Sequence, residues 1–335
     1  MPHEGFRGSR TLITGGLGFI GSTLAIRLVE LGAHVTLVDS MIPEYGGNLW
    51  NIEPVRDKVH INIADVRDEH SMKYLLKNQD FLFNLAGQTS HLDSMEQPHA
   101  DLEINARAQL SILEACRRYN RSIKVVFAGT RQIYGKPAYL PVDESHPLQP
   151  VDVNGINKLA GELYHLLYHQ VYGIQTTVLR LTNTYGPRMR VVDDRQTFLG
   201  IWIRRLLEGQ PILVYGTGAQ LRDFNYVDDV VEALMLAADS KDANGQVFNL
   251  GHDQPVSLRE TAEELTSLHR GGTYELVPFP AARKAIDIGD YYGDFRKIRR
   301  QLGWAPRTSL RDGLRHTLEF YERHATQYWP IAVAA

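Results

Sequence analysis

The stretch TGGLGFIG, residues 14–21, decides the fold, and it directly follows the apolar run TLIT at 11–14. Glycine in a Gly-x-x-Gly-x-x-Gly spacing lets the chain turn tightly, lets the backbone approach a pyrophosphate, and lets the next helix pack closely on the sheet. The N-terminus of that helix adds N–H donors and a partial positive charge. The stretch therefore predicts a dinucleotide-binding turn, formed by Gly15, Gly18, Phe19, Ile20 and Gly21.

The next strand, HVTLVD at 34–39, ends in Asp39. An acid at this point accepts hydrogen bonds from the hydroxyls of an adenosine ribose. The same negative charge repels a 2′-phosphate, so Asp39 favours NAD over NADP as the cofactor.

Short apolar runs alternate with amphipathic segments through the first half of the chain. This alternation predicts βαβ units, a mostly parallel sheet, and, with right-handed crossovers, a doubly wound Rossmann-type α/β fold. The predicted strands are 11–14, 34–39, 59–65, 81–86, 124–130 and 176–183, and the predicted helices are 19–31, 68–77, 101–119 and 154–172.

The pattern changes after residue 184, where a loop-like segment is followed by shorter and less regular elements. The segments IWIRRLLEG, SLRETAEELTSLH and SLRDGLRHTLEFYERH predict helices, and PILVYG predicts a short strand. We expect a smaller C-terminal α/β lobe that binds substrate. The predicted division gives 1–185 and about 226–250 to the NAD-binding domain, and 186–225 and 251–330 to the lobe.

Composition narrows the class of protein. The 335 residues have a formal net charge of −3, and no basic tract suggests nucleic acid or an acidic membrane surface as a partner. The start of the chain has no apolar leader, and no apolar run is long enough to span a bilayer. The single cysteine, Cys116, excludes an intramolecular disulfide and is expected to pack inward. A cytoplasmic enzyme without a metal site is the expectation.

Several further motifs occur in a fixed order: NLAGQ at 84–88, AGTRQIYG at 128–135, KLAGE at 158–162, RLTNTYGPR at 180–188 and VYGTGAQLRDF at 214–224. Together with the glycine spacing, they resemble the extended short-chain dehydrogenase/reductase family, and its nucleotide-sugar epimerase/dehydratase branch in particular. The resemblance covers nearly the whole chain. It implies an NAD-dependent enzyme that acts on a nucleotide-diphosphate sugar, with a UDP-linked sugar as the expected substrate.

The resemblance also implies roles for individual residues. Asp65 and Val66 would contact the adenine, Leu85, Ala86 and Gly87 would lie beneath the nicotinamide ribose, Asn105 in the helix that follows would also bind the cofactor, and Lys158 would hold the ribose. Asn183 would contact the sugar diphosphate and Arg222 a phosphate. The other implied substrate-binding residues are Gln88, Arg131, Arg188, Tyr215 and Arg283. A homodimer paired through helices 101–119 and 154–172 is implied as well.

The catalytic motif departs from the family at one position. The resemblance places Thr130 at the catalytic Ser/Thr position and Lys158 at the catalytic lysine, but Asn154 stands where a tyrosine would take the proton of the sugar hydroxyl. An amide has no useful proton affinity. His91 is the candidate base, because its loop borders the sugar in the family and the pKa of histidine suits the task. Lys158 acting through a water is an alternative.

The residues after Thr130 bear on the reaction. Dehydratases and decarboxylases of the family usually have an acid two positions later, whereas this chain has Arg131 and Gln132. Epimerisation needs no such acid, because hydride leaves the sugar, the keto-sugar rotates, and hydride returns to its other face. We therefore expect epimerisation at C4. Two hypotheses stay open. One is a nucleotide-sugar decarboxylase/dehydratase-like enzyme, since residues 183–189 followed by Asp194 and Arg195 resemble the decarboxylase pattern. The other is a protein that binds NAD and a nucleotide sugar with little or no turnover.

Overall fold

The computed structural model describes residues 3–193 and 197–329. The strands are β1 Arg10–Thr14, β2 His34–Asp39, β3 Val59–Ile63, β4 Phe81–Asn84, β5 Lys124–Thr130, β6 Gln175–Leu181, β7 Asn183–Tyr185, β8 Ile212–Tyr215, β9 Leu221–Arg222, β10 Phe224–Tyr226, β11 Val247–Asn249, β12 Val256–Ser257 and β13 Tyr274–Val277. The helices are α1 Phe19–Glu30, α2 Glu69–Leu75, α3 His91–Glu96, α4 Pro98–Leu102, α5 Ala108–Tyr119, α6 Val153–Tyr172, α7 Phe198–Leu207, α8 Val227–Asp239, α9 Leu258–Ser267, α10 Ala281–Ala285, α11 Arg296–Leu302 and α12 Leu310–His324.

Seven of these strands form one parallel sheet in the order β11-β6-β5-β4-β1-β2-β3. The order reverses between β1 and β4, and such a switch point leaves a crevice at the carboxyl ends of the strands. The predicted doubly wound α/β fold is confirmed. The remaining strands pair as β10-β7, β12-β9 and β13-β8 in three small sheets of the second half, which is the smaller C-terminal α/β part.

Three strands end earlier than predicted. The segments predicted as 59–65, 81–86 and 176–183 leave the sheet after Ile63, Asn84 and Leu181. At β4 the cause is local, because the N–H groups of Leu85 and Ala86 both donate to Thr14 Oγ1 at 3.1 Å instead of extending the ladder. The residues past the strand ends are thereby free to line the crevice.

The helix predicted at 101–119 is interrupted. It begins as α4, passes through a π-helical turn at Glu103–Arg107, and continues as α5. The short helix α3, which begins at His91, was not predicted, because six residues give too little periodicity to detect. Both features border the crevice, and π turns are frequent at functional sites.

Cys116 packs in the apolar core between the sheet and α5, as expected. Burial raises the pKa of its thiol to about 12, so the thiolate is not a nucleophile at neutral pH. Among residues 3–193 and 197–329, no helix combines the length and apolar character needed to cross a bilayer. Within the same residues, no three His, Cys, Asp or Glu side chains are grouped so that they could hold a metal ion.

Candidate active site

A cavity of about 720 Å³ runs along the carboxyl ends of the parallel strands and under the C-terminal part of the chain. It has a cofactor end, beside the glycine turn, and a catalytic corner, where β5 and α6 meet. It brings together nearly all the residues that the sequence singled out. Those that line it are Gly15, Gly18, Phe19, Ile20, Gly21, Asp39, Asp65, Val66, Leu85, Ala86, Gly87, His91, Thr130, Arg131, Asn154, Lys158, Asn183, Tyr215, Arg222 and Arg283.

The glycine turn has no room for side chains. Gly15 has a φ of +69°, which favours glycine. A Cβ on Gly21 would lie 2.2 Å from the carbonyl oxygen of Gly15, so the turn could not keep its shape. Helix α1 begins after Gly18 with no side chain capping it. Its first N–H groups are therefore available to an anionic ligand.

Asp39 is held by the turn that it faces. Its Oδ2 accepts from the N–H of Leu17 at 3.1 Å and its Oδ1 accepts from the N–H of Met41 at 2.9 Å. Burial raises the pKa of Asp39, and the two backbone hydrogen bonds counteract part of that rise. Asp65 forms an ion pair with Arg67 at 2.6 Å, and the hydrogen bonds from Arg67 lower the pKa of Asp65.

The cofactor end fits a dinucleotide by its own geometry, because the crowded turn, the uncapped helix and the half-buried acid Asp39 are the three parts such a ligand needs. A further observation lies at the other end of the same groove. A Cβ on Gly87 would be 3.0 Å from both Asn105 Oδ1 and Lys158 Nζ. In the described part of the chain, that Asn105 oxygen is buried without a hydrogen-bond partner.

Asn105 does not itself line the cavity. Its Nδ2 donates to the carbonyl oxygen of Gln88 at 2.9 Å, so it supports the loop after β4 from beneath. Gln88 is also buried beneath the surface of the cavity, and its Nε2 donates to the carbonyl oxygen of Ser90 at 2.9 Å. The expected contact of Gln88 with substrate is replaced by contacts within the protein.

Arg188, expected at the substrate, lies elsewhere. Its Nε donates to the carbonyl oxygen of Asn51 at 3.0 Å, and its guanidinium lies 5.4 Å from the ring centre of Phe320 on α12. These are the contacts of a residue that fixes the C-terminal helix against the first half of the chain. Asp194 and Arg195, which belonged to the decarboxylase-like pattern, lie outside the described residues.

The catalytic corner brings together Thr130 at the end of β5 and Lys158 on α6. Thr130 Oγ1 accepts from the N–H of Gln132 at 3.2 Å. Lys158 Nζ donates to the carbonyl oxygen of Ala128 at 3.1 Å. Burial lowers the pKa of Lys158 to about 8, opposed only by the charge of Asp101. With this pKa, the buried lysine beside the cofactor groove is still mostly protonated at pH 7 and loses its charge just above physiological pH.

Asn154 lies one helical turn before Lys158 and on the same face of α6. Its Nδ2 donates to the carbonyl oxygen of Gln88 at 2.8 Å and to Asp101 Oδ2 at 3.0 Å. Because both partners accept only, the amide nitrogen must point toward them. The oxygen Oδ1 is left for a ligand in the cavity, where it can accept a hydrogen bond but cannot take up a proton.

Asp101 was missed in the sequence, although it explains how Asn154 is oriented. This carboxylate on α4 is completely buried, and it accepts from Asn157 Nδ2 at 2.8 Å as well as from Asn154. Two asparagines three residues apart on α6 therefore hold one buried charge. The signal in the sequence was the pair Asn154 and Asn157, but only the fold shows which acid they face.

His91, the first residue of α3, lines the same corner. Its Nδ1 lies 3.0 Å from Asp152 Oδ2, and the Asp152 side chain has no solvent exposure. Asp152 caps α6, accepting from the N–H of Gly155 at 2.7 Å, and it accepts from Gln132 Nε2 at 2.8 Å. Burial raises the pKa of Asp152, but the adjacent His91 ring and these two donors together outweigh it and lower that pKa.

His91 and Asp152 form a pair in which a buried carboxylate orients a histidine ring. With Nδ1 against the carboxylate, Nε2 is the ring nitrogen left to meet a ligand, and an imidazolium formed there would be stabilised by Asp152. The link continues to Thr130, since Gln132 binds Asp152 through its side chain and Thr130 through its N–H. Asp152 could have been anticipated as the N-cap of the helix predicted from 154.

The substrate end beyond Thr130 contains three arginines, which are Arg131, Arg222 and Arg283. Arg222 Nη1 donates to the carbonyl oxygens of Leu221 at 2.8 Å and Gly289 at 2.5 Å, and its Nη2 lies 3.6 Å from Asp287 Oδ1. The guanidinium of Arg283 lies 5.7 Å from the ring centre of Tyr215. These groups supply positive charge where a diphosphate would lie.

Asn183 joins this end to the catalytic corner. Its Nδ2 donates to the carbonyl oxygen of Asp223 at 2.9 Å, and its Oδ1 accepts from Arg131 Nη2 at 3.1 Å. The site therefore contains a groove for one dinucleotide and, across Thr130, a second region rich in arginine.

Comparison with known proteins gives a consistent result. A sequence profile described as the NAD dependent epimerase/dehydratase family matches residues 11–251. The chain is 33% identical over 315 residues to a putative UDP-glucose 4-epimerase of Methanocaldococcus jannaschii, covering 93% of this chain and 98% of that protein. It is 32% identical over 322 residues to a UDP-N-acetyl-alpha-D-glucosaminuronate decarboxylase of Bacillus cytotoxicus, covering 93% and 97%.

Among solved structures, the Thermus thermophilus UDP-glucose 4-epimerase in complex with NAD superposes with a TM-score of 0.84 at 30% identity. The match covers 93% of this chain and 99% of that one. The similarity thus extends over whole chains, and it includes both epimerases and a decarboxylase.

Proposed function

This chain belongs to the NAD dependent epimerase/dehydratase family, and we propose that it epimerises a nucleotide-linked sugar, a UDP-sugar in the first instance, at C4. That it is an NAD-dependent nucleotide-sugar enzyme of the epimerase or dehydratase/decarboxylase kind follows from the family. The proposal adds the reaction and the base. It depends on one observation, the His91–Asp152 pair at 3.0 Å in the corner where the family's tyrosine is replaced by Asn154.

Bound NAD would accept hydride from the sugar carbon and return it. The chain's own residues have to orient the reacting hydroxyl and move its proton. Thr130 Oγ1 can donate a hydrogen bond to the oxygen of that hydroxyl, while Asn154 Oδ1, which only accepts, is available to another hydroxyl of the sugar. His91 Nε2 takes the proton as general base and returns it later, and Asp152 stabilises the imidazolium in between. The positive charge of Lys158, when protonated, favours the developing alkoxide.

Epimerisation is the reaction that needs the fewest additional groups. Gln132, at the position where an elimination would use an acid, is an amide whose Nε2 is bound to Asp152. Arg131 is a cation. Neither residue can protonate a leaving group or serve as a carboxylate. Decarboxylation is the second candidate, favoured by the likeness to the Bacillus cytotoxicus decarboxylase, and it is distinguished by the mass of the product.

The experiment uses purified protein with NAD and a panel of UDP-, dTDP-, CDP- and GDP-sugars. We expect a C4 epimer by NMR and a transient NADH absorbance during turnover. His91→Ala should lower the rate by at least about 10²-fold, whereas Asn154→Ala should lower it less. His99→Ala, on the neighbouring helix and exposed, is the matched control. Absence of turnover and of NADH across the panel would leave a binding protein, and loss of CO₂ would indicate the decarboxylase.

We also propose that the protein is a homodimer paired through α6. An apolar stripe of four side chains at helical spacing lies exposed along this helix: Ile156, Leu163, Leu167 and Val171, each between 48% and 58% exposed. Leu102 and Tyr119, on other helices, are exposed apolar side chains as well. Leu167→Glu should halve the mass in solution, and an unchanged mass would argue against this interface. The cytoplasm remains the expected compartment.

A further inference from the structure

Arg131 has a cationic side chain whose partners in the structure do not neutralise it. Its guanidinium lines the cavity, donates from Nη2 to Asn183 Oδ1 at 3.1 Å, and lies 5.1 Å from the ring centre of Tyr291. In the part of the chain that the structure describes, no carboxylate lies within 4.0 Å of it, and Nη1 is buried without an acceptor.

The nearest acids are engaged elsewhere. Asp223 accepts from Thr182 Oγ1 and, at 2.8 Å, from the N–H of Gly293. Asp287 lies 3.6 Å from Arg222. Burial lowers the pKa of Arg131, and the distant charges oppose that change, yet a guanidinium stays protonated in proteins. A half-buried guanidinium that lines the cavity without a carboxylate partner can be paired by an anionic group of a ligand.

The position of Arg131 indicates which part of the ligand that anion belongs to. Arg131 directly follows Thr130, the residue assigned to the reacting hydroxyl. Its guanidinium donates to Asn183, the first residue of β7. In a hexose that reacts at C4, the neighbouring ring atom C5 bears the exocyclic C6. The diphosphate is the other anion of such a ligand, and Arg222 and Arg283 also line the cavity and can bind it.

We propose that Arg131 binds a C6 carboxylate, so that the substrate is a nucleotide-linked hexuronate. The inference rests on the proposed function, since it takes Thr130 as the residue at C4. A carboxylate presents two oxygens to the donors of a guanidinium in a charge-assisted pair, which a neutral hydroxymethyl group at C6 cannot do. Arg131 is thus a residue that determines specificity.

The pairing of Arg131 with the C6 carboxylate also affects whether that carboxylate is lost as CO₂. When C4 gives up its hydride and the proton of its hydroxyl, the C6 carboxylate becomes β to a ketone. Cleavage of the C5–C6 bond would then release CO₂ and move the electron pair onto the C4 oxygen as an enolate. A guanidinium held on the carboxylate stabilises the charge where it is before cleavage, so it slows this loss. Return of hydride to the other face of C4 then gives the epimeric uronate with its carboxylate intact.

The test compares two ligands that differ only at C6. Dissociation constants for UDP-glucuronate and UDP-glucose are measured by calorimetry on the NAD-loaded protein. We expect wild type to bind the uronate at least about 10-fold more tightly, as a charge-assisted pair allows. Arg131→Met should reduce this ratio to about 1, and Arg131→Lys should retain part of it. Arg222→Met, the matched control, should weaken both ligands alike and leave the ratio in place.

The outcomes separate the two proposals. If wild type binds UDP-glucose as tightly as UDP-glucuronate, the inference is wrong while the proposed function stands. If Arg131→Met weakens both ligands and keeps the ratio, the guanidinium serves the diphosphate, and the inference is wrong as well. If neither ligand binds at about 5 mM, and the same pair of sugars on dTDP, CDP and GDP also fails, the proposed function is wrong and the inference falls with it.

Discussion

The cofactor end of the cavity is formed mainly by backbone, whereas the catalytic corner is formed by side chains from three separate segments. At the cofactor end, a crowded glycine turn and an uncapped helix lie within residues 14–21. At the catalytic corner, His91, Thr130, Asp152 and Lys158 come from α3, β5, the α6 cap and α6. The cofactor end tolerates few substitutions, because backbone atoms form it. At the catalytic corner, one side chain can be replaced by another of similar chemistry.

The difference explains how a family can keep its cofactor while its base moves. A backbone site fails when a single Cβ is added, because the N–H groups lose their positions. A side-chain site can lose one group, as at Asn154, and, in the role we propose for His91, obtain a proton acceptor from a neighbouring segment. Each prediction below tests whether the two ends differ in this way.

The largest effect is expected at Lys158, the charged group that both ends share. Lys158→Met should lower turnover by about 10³-fold, since it removes the cation beside the reacting oxygen. Lys124 is the matched control, because burial lowers its pKa to about 8 as well, while its Nζ donates to Thr177 Oγ1 at 3.0 Å away from the cavity. Lys124→Met with the same loss of turnover would show that the effect comes from stability alone.

Lys158 should also make the free energy of unfolding depend on pH. Its folded-state pKa is about 8, below the ordinary value of 10.5. Below pH 8 both folded and unfolded states are protonated, and the buried charge destabilises the fold. Between pH 8 and 10.5 only the folded state is neutral, so stability rises by about 3 kcal/mol relative to Lys158→Met. Denaturant unfolding of both proteins across this range measures the difference, and a constant difference would contradict the assignment.

A smaller but sharper effect is expected at the cofactor end. Gly21→Ala would place a Cβ 2.2 Å from the Gly15 carbonyl oxygen, and the displaced turn should weaken NAD binding by about 10²-fold, close to the effect of one or two lost charge-assisted hydrogen bonds. Gly209→Ala is the control: its φ is +71° and a Cβ there meets open space, so it should cost about 1 kcal/mol of stability and leave NAD affinity in place. Equal NAD affinities in the two variants would refute the backbone account.

The smallest effect is expected at the replaced position itself. Asn154→Asp brings a carboxylate to within hydrogen-bond distance of Asp101 Oδ2, which now accepts from Nδ2 at 3.0 Å. Two like charges there should lower the free energy of unfolding by about 2 kcal/mol at pH 7. The double variant with Asp101→Asn should recover most of the loss. Failure to recover would mean that the Asp101 contact does not orient Asn154.

The contrast between the cofactor end and the catalytic corner also explains which features could be predicted from the sequence. The glycine turn, Asp39 and the strand alternation are local patterns, and the doubly wound fold follows from them. The approach of His91 to Asp152 joins residues 61 positions apart, and no local pattern shows such a pairing. His91 was nevertheless identified as the candidate base, because the absence of tyrosine at 154 created a chemical requirement that a nearby histidine could meet.

The errors have physical causes as well. Gln88 and Arg188 were placed at the substrate by their motif positions, yet Gln88 is buried beneath the loop and Arg188 packs on Phe320. A motif fixes where the backbone runs, but the direction of a side chain depends on the partners that the rest of the fold offers. Asp101 escaped notice for the same reason, since its importance lies entirely in the two asparagines that face it.

The central claim is that His91 takes the proton that the family's tyrosine would take. The most direct measurement is the rate of NADH formation at 340 nm in a single turnover of His91→Ala, with and without added imidazole. We predict a loss of at least about 10²-fold that imidazole partly restores, with no response to imidazole in Lys158→Met. If His91→Ala forms NADH at the wild-type rate, the proton goes elsewhere and the claim is wrong.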